Sequence, residues 1–249
     1  MSLPANFLAR PFAHRGLHDA ADRRPENSLA AASAAIENNY GIELDVQMTA
    51  DEEAVVFHDY ELDRLTGAVG AVQKKTVSEL ARVQLTGGDE GIPSLGEFLR
   101  HVSGRVPLLL EIKDQDGALG KDVGPLERAV AKAIANYQGD IAVMSFNPHS
   151  VAAMKDLAPL CQRGLVTESF PRANWPAPET TLARLREIPD YFGTGSVFIS
   201  HQVSDLNRSR VAELRQDGAT VICWTVRSPE EERAARMMAD NVTFEGYLA

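Results

Sequence analysis

The sequence predicts an α/β fold, a closed (β/α)8 barrel, and three observations carry that expectation. Short apolar runs alternate with helix-like stretches almost from end to end. Eight of those runs read as parallel strands, because a helix is the usual crossover between parallel neighbours. The chain has 249 residues, 44% of them hydrophobic, which suits one undivided barrel core.

Arg10–Ala13 reads as the first strand. Asn27 is placed to N-cap an alanine-rich helix running to about Asn39, its side-chain oxygen accepting from an early backbone N–H. Gly41–Val46 is the second parallel strand and Val106–Ile112 the third. Helices then fall at 126–137, 149–157, 180–188, 205–218 and 229–240. Strands fall between and after them at 141–146, 163–167, 196–200, 220–226 and 242–247, and no helix follows the last.

Ala54–His58 breaks the alternation. Only QMTADEE separates it from Val46, too short for a parallel crossover, so the two runs form an antiparallel hairpin. A turn near Asp51 and Glu52 sets Asp45 opposite His58, on one face of the sheet. A slip of one residue would turn His58 to the other face. The stretch 59–93, with a short helix in TVSELARV and the glycines of TGGDEG, reads as a cap-like insertion over the barrel mouth, too short to own a core. IPSLGEFLRHV restarts the helical layer, and residues 1–249 make one domain.

The net charge of −10 argues against a nucleic-acid partner, whose phosphates demand a basic face. It does not argue against a small anionic substrate, since a bound divalent cation reverses the local field. The two cysteines, Cys161 and Cys223, lack metal-like spacing and read as reduced residues packed in or near strands. No apolar run has the roughly 20 residues of a membrane span, and MSLPANFLARPF is no export signal. The expectation is a cytoplasmic protein with no membrane span; its oligomeric state is unreadable.

Glu43 and Asp45 are two apart on a strand whose other face is apolar, so both point into the barrel, where burial is costly unless they are neutralised. Glu111 repeats the pattern in LLLEIK, with Lys113 on the same face. Three oxygen ligands suit a hard cation such as Mg²⁺ or Ca²⁺. His14 and His58 each directly follow an apolar strand, at the edge where such barrels keep their active sites, and two imidazoles suit proton transfer near neutral pH. Arg15 and Lys113 are candidate phosphate clamps. His101 and His201 read as ordinary, His149 as part of a helix start, and His18 as a cleft-lining loop residue. Such a set is suited to cutting or forming a bond at a phosphate.

AHRG, PENS, IELDVQMTAD, VVFHD and RLTG together resemble the opening signature of the glycerophosphodiester phosphodiesterase family, and IPSLGEFL, LLLEIK, MSFNP and ICWTVR continue it. The resemblance implies a TIM barrel with a small insertion after VVFHD. It also implies metal-dependent hydrolysis of glycerophosphodiesters to an alcohol and glycerol 3-phosphate. It puts the acid–base histidines on His14 and His58, the metal carboxylates on Glu43, Asp45 and Glu111, and the phosphate-contacting cations on Arg15 and Lys113. Glu26 and Asn27, from PENS, follow as supporting residues, and Trp224 as a pocket wall for the glycerol end. Arg227 stands where asparagine is usual, TFEGY where an ITDYP-like stretch is usual, and Glu52-Glu53 where Asp-Gly is common. None of these departures is expected to touch the five central residues.

The mechanism expected is acid–base hydrolysis with His14 as base and His58 as acid. The nucleophile is either water or a neighbouring glycerol hydroxyl that first forms a cyclic phosphate. The rivals are a lysophospholipase D-like or other phosphodiester hydrolase, a non-catalytic glycerophosphate-binding barrel, and a metal-dependent aldolase or isomerase.

Overall fold

A computed structural model describes residues 3–249. Nine strands form one sheet: β1 Phe12–Ala13, β2 Gly41–Met48, β3 Ala54–Val56, β4 Leu108–Ile112, β5 Ile141–Ser145, β6 Gln162–Thr167, β7 Phe198–Gln202, β8 Thr220–Val226 and β9 Asn241–Phe244. The order β1-β9-β8-β7-β6-β5-β4-β2, closed by β1 against β2, makes an eight-stranded parallel barrel, and β3 hangs antiparallel on β2. The helices are α1 Leu29–Glu37, α2 Val77–Leu80, α3 Leu95–Val102, α4 Pro125–Ile134, α5 Pro148–Leu157, α6 Glu179–Arg186, α7 Ser209–Gln216 and α8 Pro229–Ala235. The fold is the (β/α)8 TIM barrel that the alternation predicts, and no helix is long and apolar enough to cross a membrane among the described residues.

Strand alternation sorts the core into two shells. Ile42, Leu44 and Val46 of β2, with Leu108 and Leu110 of β4, pack outward against Phe98, Val130 and other helix residues. Phe12, Leu109, Ala142, Phe198 and Ile222 fill the bore, where Leu3 and Phe7 join them. Asn241 Nδ2 donates to Phe7 O at 2.7 Å, tying that segment to the start of β9. The opposite end, at the strand C-termini, is left for polar side chains. Cys161 and Cys223 are free thiols, and burial pushes them up to about 11 and about 12.

Several local expectations need correction. β1 begins only at Phe12, because Pro11 before it has no N–H to donate to a ladder. The cap of α1 is Ser28, whose hydroxyl accepts from Ala31 N at 3.0 Å. Asn27 instead adopts a left-handed φ of 59° and sends its side chain to Asp45. The segment before α7 is a 3₁₀ turn at Val203–Asp205, so that helix starts at Ser209.

The hairpin register is one residue off the expected one. Val46 pairs with Val56, and Phe57 N donates to Asp45 O at 3.0 Å, so Phe57 and not His58 stands opposite Asp45. In a continued ladder His58 would be turned away from the carboxylates. The ladder ends at Val56, however, and the freed backbone carries His58 to the barrel mouth, where Gln47 Nε2 donates to His58 O at 3.0 Å.

The insertion also differs from its reading, since it gathers a core. Leu62, Val72, Leu80, Leu85 and Ile92 pack on Val55 and Phe57, on the face of the hairpin opposite to Val46 and Val56. Two hairpin residues supply the apolar surface that so short a segment lacks. Its one α-helix, α2, is closed by a reciprocal cap: Thr76 Oγ1 accepts from Glu79 N at 3.3 Å, and Thr76 N donates to Glu79 Oε2 at 2.8 Å.

Candidate active site

Strand register brings the central residues together. Asp45 is the direct partner of Glu111 across the β2–β4 pair, and Glu43 precedes Asp45 by two on the same inward face. One oxygen from each of the three lies within 4.8 Å of the other two. They are 2%, 1% and 7% exposed in the order Glu43, Asp45, Glu111, so this is an interior carboxylate cluster and not a solvated edge. Three converging oxygens of this kind fit a hard divalent cation.

Cations of the chain neutralise the trio. Lys113 Nζ sits 2.8 Å from Asp45 Oδ1 and 2.7 Å from Glu111 Oε1. Burial alone would lower the Lys113 pKa, but Asp45 and Glu111 outweigh it and hold the ammonium above the ordinary lysine value. Arg15 Nε lies 3.4 Å from Asp45 Oδ2, and Arg15 N donates to Glu43 Oε2 at 3.1 Å. Burial would raise the Asp45 carboxyl, yet Lys113, His58 and Arg15 together hold it well below the usual carboxylate range. Glu43 goes the other way, pushed well up by burial and by the charges of Asp45 and Glu111.

Arg15 and Gly16 turn the chain sharply after β1, with φ values of 56° and 79°. A Cβ on Gly16 would fall 2.9 Å from Ala31 Cβ and 3.0 Å from the Ala31 carbonyl carbon, so the turn comes this close to α1 only because it has glycine there. That turn lets Arg15 reach both Asp45 and Glu26, whose Oε1 accepts from Arg15 Nη1 at 2.6 Å.

Each histidine is held by a carboxylate on Nδ1. His14 Nδ1 is 2.6 Å from Glu245 Oε2, and its Nε2 is 3.9 Å from Glu43 Oε2. His58 Nδ1 is 2.6 Å from Asp59 Oδ1. A carboxylate there keeps the proton on Nδ1 and leaves Nε2 free. Burial, the largest influence on His14, lowers its pKa despite Glu245 and favours the neutral ring. Asp59 is itself gripped by Arg64, through Nε at 2.6 Å and Nη2 at 2.8 Å. The same guanidinium binds Glu26 at 2.8 and 2.9 Å. A continuous chain of ion pairs thus runs from His58 through Asp59, Arg64, Glu26 and Arg15 to Asp45.

A cavity of about 160 Å³ collects His14, His58, Glu43, Asp45 and Glu111, together with Arg15, Lys113 and Trp224. Of the other residues singled out in the sequence, Glu26 stands behind Arg15, and Asn27 donates from Nδ2 to Asp45 Oδ2 at 2.9 Å; neither lines the cavity. Trp224 Nε1 donates to Ser200 O at 2.9 Å and its ring meets Phe146 edge-on at 5.6 Å. His18 lies 3.7 Å from Glu245 Oε2, beside the site. His201, His101 and His149 are elsewhere: His201 Nδ1 pairs with Thr167, His101 Nε2 with Ser33, and His149 is in the first turn of α5.

Sequence reasoning missed Asp59, Arg64 and Glu245. Asp59 and Arg64 lie inside the VVFHD and RLTG segments that were noticed, and Glu245 directly follows a strand, the same signal that singled out His14 and His58. The departures at the C-terminus are not remote from the central residues. Glu245 binds His14, and Arg227 Nη2 pairs with Glu245 Oε1 at 2.7 Å, so two atypical residues answer each other.

The profile of the "Glycerophosphoryl diester phosphodiesterase family" matches residues 14–244. YhdW of Bacillus subtilis strain 168 is 30% identical over 240 residues, covering 92% of this chain and 90% of that protein. The glycerophosphodiester phosphodiesterase of Caldanaerobacter subterraneus is 34% identical over 168 residues, 62% of this chain and 65% of that one. Among solved structures, the Oleispira antarctica phosphodiesterase in complex with the product sn-glycerol-3-phosphate superposes with a TM-score of 0.79 at 22% identity, covering 97% of this chain and 94% of the other. That likeness speaks for the fold, and the profile match across nearly the whole chain speaks for descent: the chain belongs to the glycerophosphoryl diester phosphodiesterase family.

Proposed function

We propose that this protein hydrolyses small glycerophosphodiesters to an alcohol and glycerol 3-phosphate, with His14 and His58 as the acid–base pair and Glu43, Asp45 and Glu111 as ligands of one Mg²⁺ or Ca²⁺. The observation that carries the reading is the convergence of two carboxylate-held imidazoles on one buried carboxylate trio, in a cavity also lined by Arg15 and Lys113. When bound, such a cation neutralises charge on the phosphoryl oxygens.

His14, kept neutral by burial and presenting Nε2, takes the proton of the attacking hydroxyl, either from water directly or from the glycerol, whose cyclic phosphate water then opens to glycerol 3-phosphate. His58 enters as the imidazolium, its Nδ1–H held by Asp59, and gives its Nε2 proton to the departing alkoxide. Arg15 and Lys113 contact the phosphoryl oxygens; both are held charged by the carboxylates around them. Glu26 and Asn27 act through Arg15 and Asp45, and Trp224 closes the wall.

The substrate is a water-soluble diester and not a lysolipid. Among the described residues the cap exposes only Tyr60 and Val69 as large apolar side chains, which is no bed for an acyl chain. Residues 1–249 act as one catalytic domain with 59–93 as its cap, and two free cysteines accord with the cytoplasm. The test is to incubate the protein and Mg²⁺ or Ca²⁺ with glycerophosphocholine and assay glycerol 3-phosphate. Absence of that product with either metal overturns the reading.

A further inference from the structure

Arg64 carries the insertion onto the catalytic machinery. Residues 62–66 form a tight turn, in which Thr66 N donates to Leu62 O at 3.1 Å and Thr66 Oγ1 donates to the same oxygen at 2.8 Å. Leu62 is fully buried in the insertion's apolar cluster and Leu65 packs against it, so the turn is anchored on that side. Arg64, between them in sequence, leaves the cluster and reaches Asp59 and Glu26.

Its guanidinium uses both bonding edges. Nε and Nη2 donate to Asp59 Oδ2 and Oδ1 at 2.6 and 2.8 Å. Nη1 and Nη2 donate to Glu26 Oε2 and Oε1 at 2.8 and 2.9 Å. One planar fork thus engages all four carboxylate oxygens, which the single nitrogen of a lysine could not span. Each acid then fixes one further side chain. Asp59 Oδ1 is 2.6 Å from His58 Nδ1, and Glu26 Oε1 accepts from Arg15 Nη1 at 2.6 Å.

Those two side chains depend on these acids. Among the described residues the His58 ring bonds to Asp59 alone. Arg15 Nε stands 3.4 Å from Asp45 Oδ2 without a hydrogen bond, so Glu26 supplies the one that orients the guanidinium. A lone surface ion pair contributes little, but bidentate pairs joined in a network do count. Here the acids are shielded, with side chains 12% exposed for Glu26 and 21% for Asp59. Arg64, Asp59 and Glu26 do not line the catalytic cavity, so Arg64 acts only through the groups it holds.

We propose that Arg64 is a positioning residue, setting the His58 imidazole and the Arg15 guanidinium in one shared geometry through Asp59 and Glu26. The inference rests on the proposed glycerophosphodiester reading and adds a link between proton donation and the grip on the phosphate. The insertion then serves the reaction from outside the cavity, as a brace.

The test compares two esters. Glycerophosphocholine loses an alkoxide that needs a proton, whereas glycerophospho-p-nitrophenol loses a nitrophenolate that does not. Steady-state kinetics with Mg²⁺ or Ca²⁺ are measured for the wild type, Arg64→Ala, Arg64→Lys and His58→Ala. In Arg64→Ala, kcat on glycerophosphocholine should fall about 10–100-fold, the cost of a misplaced catalytic group. On the nitrophenyl ester kcat should fall less than ~3-fold, because no general acid is required. KM should rise about 3–10-fold for both esters, through Arg15. His58→Ala should show the same split in kcat, and Arg64→Lys a smaller version of it, which keeps the proposal testable if the alanine variant does not fold. Equal losses of kcat on both esters, or a wild-type kcat in Arg64→Ala, overturn the positioning role and leave the activity standing. A wild type that releases no glycerol 3-phosphate from glycerophosphocholine overturns the activity reading, and this inference with it.

Discussion

His14 Nδ1 lies 2.6 Å from Oε2 of Glu245, a residue that follows the last barrel strand and is itself paired with Arg227. The hydrogen bond from His14, with His18 3.7 Å away and Arg227 paired to the other oxygen, holds the Glu245 carboxyl well below the usual range, so it is ionised at any working pH. Glu245→Gln keeps the length but lets an amide offer N–H to the imidazole and favour the wrong tautomer. We expect kcat on glycerophosphocholine to drop about 10–100-fold with little change in KM. Near-normal kcat in steady-state assays would remove Glu245 from the catalytic arrangement.

Removing either ring should be costlier than removing its support. His14→Ala and His58→Ala should each lower kcat on the order of 10²–10⁴-fold while the circular dichroism spectrum is retained. A variant that turns over normally strikes that histidine from the mechanism.

The carboxylate trio predicts the response to metal. Glu111→Ala should weaken Mg²⁺ or Ca²⁺ binding at least ~10-fold by calorimetry, because one of three converging oxygens is lost. In the wild type, cation at about 100 times its Kd should add ~2.7 kcal/mol to stability. Equal metal affinity in the two proteins contradicts the ligand assignment.

Gly16→Ala tests the turn that aims Arg15. A methyl group there meets Ala31 at 2.9 Å and adopts a φ of 79°, so destabilisation of about 1–3 kcal/mol is expected. Urea unfolding reads it, and an unshifted midpoint would mean that the turn relaxes freely.

His201 sets a pH dependence away from the active site. Burial lowers its pKa below 6.5, in spite of Asp205. Above about pH 6.5 the ring is neutral both folded and unfolded, and its burial costs nothing in protons. As pH falls below that, the unfolded ring gains a proton that the folded one refuses. Stability is lost by up to ~1.4 kcal/mol per pH unit until the lowered folded value is reached. His201→Gln should show a shallower loss between pH 7 and pH 5 in urea titrations; identical slopes would exclude this residue as the source.

The barrel was legible because period-two burial and helical crossovers leave a strong pattern, and Glu43, Asp45 and Glu111 were legible because a carboxylate inside an apolar strand demands a partner. Register was not: the expected pairing of Asp45 with His58 failed by one residue, and His58 reaches the cavity only because β3 stops at Val56. Local pattern fixes which residues alternate but not where a short ladder frays. Asp59 and Arg64 were hidden for another reason. Exposed-looking acids and arginines in a loop read as solvated charge, and only the fold brings Arg64 onto Glu26, 38 positions earlier.

Arg64 belongs to the 59–93 insertion, yet both acids it clamps, Glu26 and Asp59, lie outside the insertion's own packed cluster, whose foundation is Val55 and Phe57 of the hairpin. The insertion is therefore not an interchangeable module. A transplant from a sister barrel would have to import an arginine at the right spot and match two hairpin residues, or it would strand a pair of anions next to the catalytic machinery. Variation in this segment is accordingly constrained from below, by what the barrel asks of it, more than from above, by the molecules it meets.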